Sequence, residues 1–133
     1  MDFSPFCYEQ YSQYSSSVSH QRIFAIMNTN FDKAFQILHE IEGGYSNNMH
    51  DRGGKTMYGI TESIARAHGY TGEMDLLPIG TAKSIYKSDY WFKEFDDLPF
   101  QVAYCIFDAC VNHGVRRAVL ITQRIVKSRE DGL

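Results

Sequence analysis

The chain is poor in cysteine, tryptophan and net charge, and it has no long apolar run. Each shortage removes a class of protein. Its three cysteines, Cys7, Cys105 and Cys110, are an odd number and show no metal-ligand spacing, so neither a disulfide scaffold nor a zinc module is expected. Cys105 and Cys110 stand five apart in a helical pattern and do not share a face. Buried thiols in a protein made in a reducing compartment are the expectation. A formal net charge of −3 leaves no electrostatic footprint for nucleic acid or an anionic membrane. No stretch approaches the roughly 20 apolar residues that a spanning helix needs, so no stable membrane insertion is expected. The 133 residues suffice for one modest domain and are too few for two.

Several binding motifs are missing as well. Gly54-Lys55-Thr56 imitates the end of a phosphate-binding loop, but the first glycine of that loop would fall at Met49. Met57-Tyr58-Gly59 also reads as strand where the motif requires a helix. Around Asn47 and Asp51 the calcium-loop spacing fails, with Arg52 inside the loop. His39, His50 and His113 are scattered and form no zinc-type pair. No metal and no cofactor is expected. Residues 1–26, rich in Ser, Tyr and Gln, lack the basic start and apolar centre of a secretory signal peptide. They read as a disordered extension, with the folded domain over residues 27–133.

What the chain does have begins at Phe31. Phe31, Ala34, Phe35, Leu38 and Ile41 repeat with the spacing of one buried helical stripe. At about 100° per residue, Glu42 falls within roughly 20° of Phe31, between Phe35 and Leu38, whereas Glu40 lies about 180° away. Two acids two residues apart should therefore meet opposite environments: Glu40 in solvent, Glu42 facing a core or cleft. Desolvation and the negative helix end both raise the pKa of a carboxylic acid so placed. Gly43 and Gly44 then stop the helix. An acid that stays protonated near neutral pH can protonate a leaving group, which is half of glycoside hydrolysis. The other half is an ionised carboxylate, and Asp51, nine residues on in a polar loop, is the nearest candidate.

Further along, Thr61 is placed to cap a short helix ending near Gly69, and Gly69 to Gly72 reads as a turn. Leu76 and Leu77 should pack before the break at Pro78. A second amphipathic helix runs from Thr81 to Phe92, with Trp91 near its end, and Leu98-Pro99 starts another. Val102, Ala103, Ile106, Phe107, Cys110 and Val111 give that helix the widest apolar face in the chain, ending at Gly114. A last helix, from Arg116 to Lys127, should turn Val119, Leu120, Ile121 and Ile125 inward. The expected architecture is mainly α, with five helices and a small β-hairpin or extended segment over Thr56–Ile60.

Three stretches then stand together: Glu42-Gly43-Gly44-Tyr45-Ser46-Asn47-Asn48, Asp51-Arg52-Gly53-Gly54-Lys55-Thr56 and Tyr58-Gly59-Ile60-Thr61. They resemble the signature of glycoside hydrolase family 108, lysozyme-like N-acetylmuramidases of phage endolysins and bacterial genomes, some labelled secretion-activating proteins. Tyr90-Trp91, the block Phe107 to Gly114 and Arg117-Ala118 resemble later blocks of the same family, so the likeness covers about residues 31–126. Met49 and His50 depart from the proline and small polar residue common there. Beyond Val126 the family usually continues with more helical sequence, so the C-terminal part of its domain is expected to be missing.

The resemblance implies a lysozyme-like α+β fold, with a cleft between the loop and the helical body. It also implies cleavage of the β-1,4 bond between N-acetylmuramic acid and N-acetylglucosamine in peptidoglycan glycan strands. Glu42 matches the proposed catalytic acid, and Asp51 and Thr56 match by position. Asp51 would activate water or stabilise the oxocarbenium-like transition state, and Thr56 would hold the attacking water or merely cap the strand turn. Tyr45, Asn48, Tyr58 and Trp91 are candidate saccharide contacts, with core packing the competing role for Tyr58. Asp108 reads as a hydrogen-bond anchor for the central loop, or as a second acid. Against a hydrolase stand a lytic transglycosylase, a non-catalytic wall-binding or secretion-accessory protein, and a fragment without independent function. A monomer is expected, made in the cytoplasm and reaching the wall after holin- or secretion-system-dependent release.

Overall fold

A computed structural model describes residues 29–42, 44–47 and 54–132, with Glu42 and Asn47 described through their backbone. The expected extension over residues 1–26, Asn48, His50 and Asp51 lie outside the described residues, as does most of the loop that would border the cleft. Among the described residues the architecture is mainly α with a small sheet, as the periodicities predict. In chain order it comprises α1 (Asn30–Glu42), β1 (Ser46–Asn47), β2 (Lys55–Met57), β3 (Ile60–Thr61), α2 (Glu62–Ala67), α3 (Ile79–Tyr90), α4 (Phe100–His113) and α5 (Val115–Ile125). Two 3-10 turns, Met74–Leu76 and Lys93–Asp97, are added to what the sequence predicts. No described helix is long and apolar enough to cross a membrane.

Helix α1 starts where its side chains can satisfy its first turn. Thr29 Oγ1 accepts the Asp32 backbone N–H at 3.1 Å and donates to the Asp32 carboxylate at 2.7 Å, a reciprocal arrangement that also sets an acid at the positive helix end. Phe31, Ala34, Phe35 and Leu38 are buried as their spacing predicts, and so is Ile37. Ile41 is not: it is 45% exposed, because the buried stripe ends one turn before the helix does. Glu40 faces solvent, where its carboxylate accepts from Gln36 Nε2 at 2.6 Å.

The chain divides into two compact units. In the first, residues 29–34 join residues 90–132. Its core is aromatic. Trp91 meets Phe31, Phe95 and Phe107 edge-on, with ring centroids 5.4, 5.3 and 5.5 Å away, the geometry that ring quadrupoles favour. Asn30 Nδ2 donates to the Phe95 and Leu98 carbonyls and ties off the second 3-10 turn. Helix α4 buries Ala103, Tyr104, Ile106, Phe107 and Cys110, but Val102, expected inside, is 46% exposed. Helix α5 buries Ala118 and half-buries Val119, Leu120 and Ile121, while Ile125 stands out at 47%. Both misplaced residues lie at the margin of an apolar stripe, where the neighbouring element rather than the period decides burial. Gly114, at φ 80° and ψ 148°, separates the two helices, a conformation close to the region reserved for glycine.

The second unit, residues 35–89, holds the rest of α1, the sheet, α2 and most of α3. Its core is Phe35, Ile37, Leu38, Ile60, Ala65, Met74, Leu77, Ala82, Ile85 and Tyr86. The sheet is antiparallel in the order β1-β2-β3, with Ser46 opposite Thr56, Thr56 opposite Thr61 and Met57 opposite Ile60. Thr61 caps α2 as expected, its Oγ1 accepting from Ile64 N at 3.4 Å. Arg66 then holds the following turn, donating to the Tyr70 and Gly72 carbonyls and to Glu62. Of the two leucines expected to pack before Pro78, Leu77 is buried and Leu76 is 72% exposed. Adjacent residues of a 3-10 turn point about 120° apart, so one core cannot take both.

Candidate active site

The described part of the site is the C-terminal end of α1 and the three-stranded sheet that follows. Glu42 is the last residue of α1. Its side chain, together with Asn48 and Asp51, lies outside the described residues. Tyr45 stands just before β1 and is 43% exposed, leaving its ring open to a partner.

Thr56 sits at the centre of the sheet. Directly opposed residues in an antiparallel pair point to the same face, and neighbours along a strand alternate. Ser46, Thr56 and Thr61 therefore form a row of hydroxyl residues across three strands. The adjacent pair, Met57 and Ile60, takes the other face, where Ile60 is buried. Thr56 is thus half-buried on the polar face of the sheet, a place from which a hydroxyl can meet water or a sugar. The sequence predicts Thr56 as a site residue, but not its cross-strand neighbours Ser46 and Thr61. The signal that finds them is cross-strand register, which needs the pairing partner as well as the strand.

The turn between β2 and β3 is Tyr58-Gly59, both at positive φ, 53° and 75°. That is the type I′ turn which suits the twist of a two-residue hairpin. The Tyr58 carbonyl accepts from Tyr86 Oη at 2.9 Å. The Tyr58 ring meets His39 of α1 edge to face, centroids 5.0 Å apart. Tyr58 is half-buried, so part of its surface is spent on this packing.

Trp91 does not join this group. Only 7% exposed, it has its ring taken up by Phe31, Phe95 and Phe107. It is a core residue of the first unit, against the expectation that it stacks on a sugar. Asp108 lies on α4, half-buried, with Oδ1 accepting from Asn112 Nδ2 at 3.1 Å. His68 Nε2 and Asp89 Oδ2 lie 2.9 Å apart, joining the turn after α2 to the end of α3. Burial raises the pKa of Asp89, but hydrogen bonds from Ser88 and His68 and the His68 charge outweigh it and leave the group below the usual aspartate value.

The profile of the family described as Glycosyl hydrolase 108 matches residues 35–114, more than half of the chain. Among solved structures, that of SagA from Brucella abortus is similar, with a TM-score of 0.66 and 33% sequence identity. The similarity covers 77% of this chain and 62% of the SagA chain. No protein of curated function matches. With that likeness the mainly α architecture and its small sheet are the lysozyme-like α+β fold. The matched span runs from the second turn of α1 through the sheet to the end of α4, and the chain belongs to the glycosyl hydrolase 108 family.

Proposed function

We propose that the protein is a peptidoglycan hydrolase of the N-acetylmuramidase type, cleaving the β-1,4 bond between N-acetylmuramic acid and N-acetylglucosamine. The observation that carries this reading is the position of Glu42. It is the last residue of a helix whose stripe Phe31, Phe35 and Leu38 is buried, on the same angular sector as that stripe, and inside the span matched by the family. Glu42 is assigned the general acid, protonating the bridging oxygen. Asp51 is assigned the second carboxylate, either directing water at the anomeric carbon or stabilising the oxocarbenium-like charge. Thr56, on the polar face of the sheet, is assigned to hold water by its hydroxyl, and Tyr45, Asn48 and the open part of Tyr58 to contact the sugar. Stereochemistry follows from the carboxylate separation, about 5–5.5 Å for a nucleophile and about 6.5–9.5 Å where water fits between. On this reading the protein works as a monomer at the cell wall, after holin- or secretion-system-dependent release.

The test is Glu42→Gln on purified peptidoglycan. Loss of a general acid removes about 10²–10⁴ in rate, so release of reducing sugar should fall to background while the far-ultraviolet spectrum is unchanged. A Glu42→Gln protein that clears the suspension like the parent overturns the assignment. Mass spectrometry of the parent's products should show hydrated reducing ends; anhydro sugars would make it a lytic transglycosylase.

A further inference from the structure

Tyr58 occupies the first turn position at φ 53°, a left-handed conformation that few non-glycine residues adopt. Strain of this kind persists where the surroundings over-determine it. Here they do so through four side chains in a closed circuit. Tyr86, 2% exposed on α3, donates its hydroxyl to the Tyr58 carbonyl at 2.9 Å. The Tyr58 ring meets His39, His39 stacks on Phe35 at 6.2 Å and 8°, and Phe35 returns to Tyr86 at 5.9 Å. The circuit touches both elements assigned to catalysis. His39 precedes Glu42 by one turn of α1, and Tyr58 follows Thr56 by two residues.

We infer that Tyr86 is a positioning residue for the glycosidase site: its hydroxyl pins the Tyr58 turn against His39 and so holds β2 in register with the end of α1. The inference rests on the roles proposed for Glu42 and Thr56. Two- and three-residue strands have little pairing of their own to keep them in place. An anchor from 28 residues away supplies what the hairpin lacks. A phenylalanine at position 86 would fill the same space, so the hydroxyl can be tested alone.

The experiment is Tyr86→Phe, read two ways. Amide hydrogen exchange over residues 55–61 should quicken about tenfold, with exchange in α4 and α5 unchanged. On soluble glycan strands kcat should fall about 10- to 100-fold, the scale of a small misplacement of reacting groups, with KM held within about twofold. A purely structural tyrosine would instead quicken exchange throughout and leave kcat of the folded protein intact, and that result overturns the inference. So does unchanged exchange over residues 55–61. Should Tyr86→Phe fail to fold, p-fluorophenylalanine at position 86 decides. It fills the space of the hydroxyl but donates no hydrogen bond to the Tyr58 carbonyl, so exchange over residues 55–61 should still quicken and kcat still fall, and unchanged exchange there overturns the inference. A parent protein that releases no sugar removes the glycosidase reading alone, since hydrogen exchange still decides whether the hydroxyl pins the hairpin.

Discussion

Trp91 is the only tryptophan of the chain, which makes its placement directly measurable. Its three edge contacts, at 5.3 to 5.5 Å, are each worth about 0.5–1.5 kcal/mol beyond burial, or about 1.5–4.5 kcal/mol together. That is comparable with the about 3–5 kcal/mol that truncating a buried tryptophan to alanine costs. Trp91→Ala should therefore lower the melting temperature by about 10–20 °C in a chain of this size. Trp91→Phe keeps a six-membered ring among the same partners and removes an indole N–H that has no hydrogen-bond partner among the described residues. Its cost should be smaller, about 1–2 kcal/mol. The assay needs no mutation at first. An indole 93% buried among phenylalanines should emit at short wavelength, resist quenching by iodide, and ignore added glycan strands. Emission typical of water-exposed indole, ready quenching, or a shift on adding glycan would refute the core assignment and restore Trp91 as a saccharide platform.

Three further outcomes follow from the geometry. Gly114→Ala meets no atom within 4 Å of the added Cβ, so its cost is conformational alone, about 1–3 kcal/mol for a position at φ 80° and ψ 148°; chemical denaturation measures it. Asp89 has a depressed pKa in the folded state, so its contribution to stability is complete above the ordinary value of 3.8 and is lost as pH falls through the lowered one. Asp89→Asn should flatten that part of the acid-unfolding curve. The Cys110 thiol, pushed up to about 11 by burial, is almost wholly protonated at pH 8, so it should resist alkylation in the native protein and react on unfolding, as peptide mapping would reveal.

How much of this was legible in the residues depends on the range of the force involved. Helix α1 was legible because a stripe repeated at 3.6 residues needs no knowledge of its partner. Its capping by Thr29 and Asp32 is equally local. The α2 cap at Thr61 and the helix stop at Gly114 were read from single residues for the same reason. The width of each stripe was not legible. The spacing predicts Ile41, Val102 and Ile125 inside, yet they stand out, while Ile37 and Tyr104, on the flanks, are buried. Which flank is covered depends on the next element, and the period is silent about that. Trp91 failed for a related reason: an aromatic beside a helix end suits a sugar and a core equally well. The identity of its neighbours Phe31, Phe95 and Phe107 decides, and those come from three separate segments.

The hairpin shows the limit most clearly. Asn-Gly or Asp-Gly would announce a type I′ turn from the sequence alone, and this chain has Tyr-Gly. A tyrosine at φ 53° is locally unfavourable, yet it offers what asparagine cannot: a ring for His39 to pack against. Its carbonyl is meanwhile fixed by the hydroxyl of Tyr86. The local preference is overridden by contacts 19 and 28 residues distant, which tie the hairpin that carries Thr56 to α1, the helix that ends in Glu42, and to α3. Departures from local rules are expected to gather where function demands a fixed geometry. A strained turn whose restraints lead back to the helix bearing the proposed acid is such a departure, and Tyr86→Phe measures whether the chemistry proposed for this end of α1 depends on it.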